Sequence, residues 1–216
     1  MMKLISYNIC PYVQRARYAL EEASTPYEIV FIDPYEEKPE WFLDVSPNGK
    51  VPVLIVDSVP INHSDVIVEF VNDYVGGTYY PDCSLKKAAY RMLIKSVDSY
   101  HADLQNVFLA KTKDEYTASI LIFNKSMHEL NASLLNSIVS LEEVSMVSFY
   151  YAPLFNLVNS VNEIIGGELS YDYEPLNSWV EEIIGSPAFS KAIDADYASG
   201  LKAFIKSRGS YIGVKY

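Results

Sequence analysis

Residues 8 to 15, Asn-Ile-Cys-Pro-Tyr-Val-Gln-Arg, contain the side chain best placed to do chemistry. Cys10 follows a short apolar strand expected over Lys3 to Tyr7. It precedes a helical run in which Val13, Ala16, Leu20 and Ala23 recur at spacings of three, four and three. Pro11 suits the first helical position, because it lacks the N–H that would go unpaired there and its φ is already helical. A thiol at such a turn faces free backbone N–H groups and the positive end of the helix dipole, both of which favour thiolate over thiol. The expected chemistry is that of a reactive cysteine at neutral pH. On this stretch alone a structural cysteine beside a helix start stays open, since free Cys is often simply core. Val13 stands where a Cys-x-x-Cys pair would carry its second thiol, so an internal dithiol is not expected.

The neighbouring segments must position that turn. Ser24-Thr25-Pro26 breaks the first helix, and Tyr27 to Ile32 reads as a second strand. Strand, helix and strand over this span predict a parallel pair with a right-handed crossover. A one-turn piece at Pro39 to Leu43 precedes the turn Ser46-Pro47-Asn48-Gly49-Lys50. A strand is expected over Val51 to Val56, with Pro52 at a strand end, an edge or a special cis turn, and Val59 to Asn62 returns beside it. Val66, Ile67, Phe70, Val71, Tyr74 and Val75 form the double row of a buried helix. Ser64 reads as its N-cap and Asp65 as a first-turn anion; alternatively, the free N–H groups and the Ser64 hydroxyl hold a ligand carboxylate.

Past Gly76-Gly77-Thr78 and Pro81 the pattern is helical. Tyr116, Ile120, Phe123, Met127, Leu130 and Leu134 make a bundle stripe, with Leu85 to about Ala110 as its antiparallel partner. Pro153 should kink or end a helix within Val144 to Val161, and the tail beyond Gly185 to Tyr216 reads as irregular. Tyr100, Tyr150 and Tyr151 are candidates to line a hydrophobic cleft between domains, or else anchor helix packing through their rings.

Composition limits the function. A formal charge of −11 over 216 residues argues against a general nucleic-acid binder. An anionic substrate needs a local positive patch, for which Arg15, Arg17, Lys38 and Lys50 are candidates. No stretch is long and apolar enough to span a membrane and no secretion signal is read, so a cytoplasmic protein is expected. Cys10 and Cys83 are too few for a disulfide framework, and three histidines without a ligand-type pairing give no metal signature. His101 and His128 receive no role, and Cys83 reads as incidental.

The Cys-Pro-Tyr-x-x-Arg turn, the Asn-Gly-Lys-Val-Pro-Val-Leu run and the order of elements resemble the thioredoxin-like domain of glutathione S-transferases. The resemblance is closest to the omega class, which also shows the Lys-Pro-Glu-Trp-Phe run found at Lys38 to Phe42. It extends to Pro175-Leu176-Asn177-Ser178-Trp179 and Ser186-Pro187-Ala188-Phe189 in the C-terminal half. It implies an α/β thioredoxin-like domain over residues 1–77 and an all-α helical bundle domain over 84–216.

By the same resemblance, Cys10 forms a mixed disulfide with glutathione and Tyr12 lines that site. Lys38 contacts the glycine end, the backbone of Val51 pairs with the cysteinyl part, Pro52 is cis, and Ser64 receives the γ-glutamyl carboxylate. His63 stands where the family has Glu or Gln against the γ-glutamyl ammonium, and Ser148 replaces the Asp of a Ser/Thr-x-x-Asp capping box. The implied activity is glutathione-dependent thiol transfer or reductive deglutathionylation of a small disulfide or electrophilic substrate by a homodimer. Tyr7 offers a tyrosine-type alternative, although its place in a strand is more simply structural. The other functional class is a non-catalytic regulator of the stringent-starvation type, which shares the fold and binds RNA polymerase.

Overall fold

The computed structural model describes residues 1–33 and 36–215. They divide into two compact units, one built from Met1–Tyr79 with Ser186–Tyr197 and the other from Tyr80–Gly185 with the residues from Ala198 onward.

The first unit is a four-stranded sheet with helices. Its strands are β1 (Met2–Ser6), β2 (Tyr27–Phe31), β3 (Val53–Val56) and β4 (Val59–Asn62), in the order β2-β1-β3-β4. β1 and β2 run parallel, with Met2 opposite Tyr27, as the helix between them requires. β3 is antiparallel to β1, with Leu4 opposite Leu54 and Ile5 opposite Val53. These two pairs point to opposite faces, and all four side chains are fully buried, so the sheet is covered on both sides. On the Ile5 and Val53 side the cover is Phe42, from the short α2 (Glu40–Val45).

β3 begins at Val53 rather than at the expected Val51. Pro52 has no N–H to give the ladder and lies just outside it, after a cis peptide bond to Val51. Helix α1 (Pro11–Glu22) packs against α3 (Ser64–Tyr74) and against α8 (Pro187–Ala192), which comes from the far end of the chain. Tyr18 of α1 meets Phe189 with ring centroids 5.1 Å apart, and Ser186 both donates to the Tyr18 hydroxyl and caps α8 by accepting from the Phe189 N–H.

The second unit is helical: α4 (Ser84–Leu109), α5 (Lys113–Leu135), α6 (Met146–Ile165), α7 (Leu176–Gly185), α9 (starting at Tyr197, ending at Ser207) and α10 (Tyr211–Lys215). The expected α5 stripe is buried along its whole length, and Thr112 caps that helix by accepting from the Glu115 N–H. At α6 the Ser145 N–H donates to Ser148 Oγ across 3.1 Å, so a serine serves where a carboxylate was expected.

Two expectations differ in the structure, and one open choice is decided. Pro153 does not end α6; the helix runs on for twelve residues because Pro153 and both its flanks are buried, and packing outweighs one lost backbone bond. Of the two readings of Tyr150 and Tyr151, helix packing is the one the structure bears out, since both lie in the core. Tyr151 is fully buried and donates to the Leu93 carbonyl, while burial holds its phenol far above the ordinary range. The tail is not irregular either: Tyr197, Leu201 and Ile205 step by four onto one buried face of α9, and Ile212 buries α10.

Candidate functional site

Cys10 occupies the N-cap of α1 with extended backbone angles (φ −79°, ψ 117°), and Pro11 is the first helical residue. Its N–H donates to the Tyr7 carbonyl (3.1 Å), and its carbonyl accepts from Val13 (3.0 Å) and Gln14 (3.1 Å). The turn therefore forms as the residue types dictate. Asn8 ties it to the C-terminal part of the same unit by donating to Asp196 across 2.8 Å.

The state of the thiol differs from the expectation. Burial pushes the Cys10 thiol above its ordinary value; the backbone N–H groups of Val13 and Tyr12 and the charge of Arg15 pull it down, but by less. The backbone N–H groups anticipated for a helix N-terminus act as expected, and the charge of Arg15 adds to them. Enclosure of the half-buried residue outweighs them.

Ser64 is the first residue of α3 and not its cap. The cap is His63, exposed to solvent and held at φ +69°, the left-handed region that residues other than glycine seldom enter. The Ser64 hydroxyl turns inward and accepts from Arg15 Nη1 across 3.2 Å. Arg15 is only 3% exposed and also lies 5.1 Å from the centre of the Tyr12 ring. Thus the helix that begins with Cys10 and the helix that begins with Ser64 are joined by one guanidinium.

Lys38 is half-buried, and its stem passes over Gly49: a Cβ at that glycine would lie 2.7 Å from Lys38 Cδ. The turn beneath it is closed by Ser46, whose hydroxyl accepts from the Lys50 N–H (3.0 Å) and donates to the Lys50 carbonyl (2.8 Å). Gly49 itself has φ +58°, which explains the residue type. The turn leads directly into Val51 and the buried Pro52.

Of the four candidate cations, Arg15 and Arg17 are buried within the first unit and only Lys50 is fully at the surface. The role of Arg15 was legible in the sequence only as a spacing, five residues beyond Cys10. Its contact with Ser64 joins segments far apart in the chain. Among the described residues no group of three or more His, Cys, Asp or Glu side chains is placed to hold a metal ion, and no helix is long and apolar enough to cross a membrane.

Comparison with known proteins accords with this geometry. Residues 9–73 match the family model for the glutathione S-transferase N-terminal domain. Glutathione S-transferase DHAR2 of Arabidopsis thaliana is 44% identical over 77 residues, 36% of this chain but only 33% of the relative's length. The probable glutathione S-transferase DHAR1, cytosolic, of Oryza sativa subsp. japonica is 30% identical over 186 residues, covering 84% of this chain and 83% of the relative. In fold, the chain resembles glutathione transferase Omega 3C from Trametes versicolor, with a TM-score of 0.76 at 20% identity over 94% of this chain and 89% of that one. Because the rice match is too long to be confined to either unit, and the Cys10 turn lies inside the matched N-terminal domain, the chain belongs to the glutathione S-transferase family.

Proposed function

We propose that the protein is an omega-like glutathione transferase that carries out thiol transfer, or reductive deglutathionylation, through a mixed disulfide at Cys10. The observation that carries this reading is the place of Cys10 at the N-cap of α1, ahead of Pro11, where the backbone N–H groups of the first turn favour its thiolate. A hydroxyl at that turn would serve conjugation, stabilising the thiolate of glutathione; a thiol competes with it and suits disulfide exchange.

In the first step Cys10 gives its proton to solvent, and the thiolate attacks the glutathione sulfur of a glutathionylated substrate. The Cys10–glutathione disulfide forms, the substrate–sulfur bond breaks, and the electron pair leaves on the substrate thiolate. A second glutathione then attacks the same glutathione sulfur, producing glutathione disulfide and returning Cys10 as thiolate. Val13 in place of a second cysteine makes glutathione the resolving thiol. The tripeptide is held by the Val51 backbone beside Pro52 at its cysteinyl part, Lys38 at its glycine carboxylate and Ser64 at its γ-glutamyl carboxylate, with Tyr12 and His63 flanking it. The N-terminus of α3 adds favourable charge at Ser64.

The partner substrate is a small disulfide or electrophile. The working form is a homodimer, for which the solvent-facing apolar groups Val66 and Tyr74 on α3 and Val59 on β4 give support. Two free cysteines suit a reducing compartment, and the cytoplasm is the proposed location.

The test pairs calorimetry of glutathione binding to the reduced protein with mass spectrometry after exposure to glutathione disulfide. An adduct on Cys10, distinct from any on the exposed Cys83 and absent in Cys10→Ser, is the expected result. No binding and no adduct would overturn the enzyme reading and leave a regulator that binds protein partners through a transferase fold.

A further inference from the structure

Arg15 stands outside the groups just assigned to glutathione, yet it lies against two of them, bonding to Ser64 and sitting over the Tyr12 ring. A guanidinium has only N–H donors and stays charged at any working pH. Its bond to Ser64 Oγ occupies a lone pair of the hydroxyl and sets a positive charge behind it. The hydroxyl is then left to donate its own hydrogen forward, and an ammonium or amide N–H approaching it meets a cation. Arg15 is 3% and Ser64 7% exposed, so water neither competes for this bond nor screens the charge strongly. In front of the hydroxyl the earliest N–H groups of α3 have no carbonyl inside the helix; the Ile67 N–H already donates to the His63 carbonyl across 3.0 Å. The free N–H groups of the first turn and the Ser64 hydroxyl can thus all donate to an acceptor, with Asp65 the one carboxylate in that turn.

We propose that Arg15 is a positioning residue that fixes the polarity of the Ser64 hydroxyl, so that the start of α3 selects a carboxylate over an uncharged group of the same shape. The inference rests on the reading that the γ-glutamyl end of glutathione lies at Ser64. Arg15 is a specificity element that no ligand atom needs to touch. The same charge lowers the Cys10 thiol against its burial, so one side chain serves both the carboxylate end and the sulfur end of the site.

The test compares glutathione with its analogue amidated at the γ-glutamyl α-carboxyl, by calorimetry on the full chain, for wild type, Arg15→Lys, Arg15→Met and Ser64→Ala. Wild type is expected to favour the carboxylate by about tenfold or more, the scale of one hydrogen bond to a charged group. Arg15→Met and Ser64→Ala are expected to bring the two ligands within about threefold of each other, while Arg15→Lys, which keeps a donor and a charge, retains most of the preference. A merely structural role for Arg15 would weaken both ligands alike and leave the ratio intact, which overturns the proposal. If Arg15→Met does not fold, Ser64→Ala reads the same ratio, and an unchanged preference there is equally decisive against it. Wild type that binds neither ligand overturns the glutathione reading itself and this inference with it. The alkylation of Cys10 against pH needs no ligand and separates the two failures: Arg15→Met should move that profile to higher pH and Arg15→Lys should leave it near wild type. An unmoved profile in Arg15→Met shows that the charge does not reach the thiol.

Discussion

Arg17 Nη1 lies 2.7 Å from Asp194 Oδ1, with the arginine side chain 6% and the aspartate 17% exposed. Nη2 of the same guanidinium donates to the Lys191 carbonyl across 2.8 Å. Burial opposes the charge on Arg17, but the bonds to Asp194 and Tyr27 outweigh it and hold the guanidinium above even its usual range. The pair clasps the segment around α8 onto α1, and α1 begins at Cys10, so a contact near the end of the chain helps fix where the thiol stands. Asp194→Asn leaves a buried cation without its counter-charge and should cost about 3 kcal/mol in urea unfolding, the scale for breaking a buried pair. A loss under about 0.5 kcal/mol would mean the pair contributes no more than an exposed one.

The two thiols should react in an order opposite to the one their positions in the chain invite. Cys83 is exposed, and the backbone N–H groups of Lys86 and Leu85 lower it below its ordinary value; Cys10 is raised by burial. Iodoacetamide near neutral pH should label Cys83 first, with Cys10 catching up only as the pH climbs through the ordinary thiol range and beyond. Peptide mass spectrometry over a pH series reads both sites at once. Labelling of Cys10 ahead of Cys83 at neutral pH would show that the N–H groups and Arg15 prevail over burial.

Gly49→Ala tests how Lys38 is held. The left-handed backbone should cost about 1 kcal/mol with any side chain. The new methyl must also push the Lys38 stem aside, since its Cδ and Cε lie 2.7 and 2.8 Å from the added carbon. Glutathione should bind Gly49→Ala several-fold more weakly, and adding Lys38→Ala should cause little further loss. Wild-type affinity in Gly49→Ala alongside a weakened Lys38→Ala would separate the lysine's function from its bed on the turn.

Tyr27 links α1 to β2 by donating to Glu21 Oε1 across 2.8 Å. Burial first and Glu21 second push its phenol up to about 12, against the pull of Arg17. The folded state favours the neutral phenol. This part of the stability is therefore fully present below the unfolded value of about 10 and is lost as pH rises through the folded one. The tyrosinate absorbance of wild type minus Tyr27→Phe should titrate near 12; a midpoint close to the free value would mean the phenol is in contact with water.

What the sequence determined by itself is what short-range physics decides. Pro11 can stand only where a helix lacks an N–H partner, so Cys10 had to cap α1. The period of three and four through Tyr116, Ile120 and Phe123 can bury one face only as a helix, and Ser145 and Ser148 lie within reach of each other across one turn. The stride of four from Tyr197 to Leu201 to Ile205 is a signal of the same kind, and it marks α9 despite the polar residues between. The tertiary structure decided whatever depends on segments distant in the chain. Enclosure of Cys10 reverses the shift that its own helix would impose, because desolvation is set by every neighbour and the N–H bonds by only two. His63 takes the cap that Ser64 is chemically suited to, since the Ser64 hydroxyl is drawn inward to Arg15. Tyr150 and Tyr151 are compatible with a cleft or a core by residue type, and the burial of both, with the Tyr151 hydroxyl held by Leu93 and Ser96, makes them core. Pro153 breaks a helix in isolation and is carried within α6 because packing on both flanks is worth more than the bond it omits.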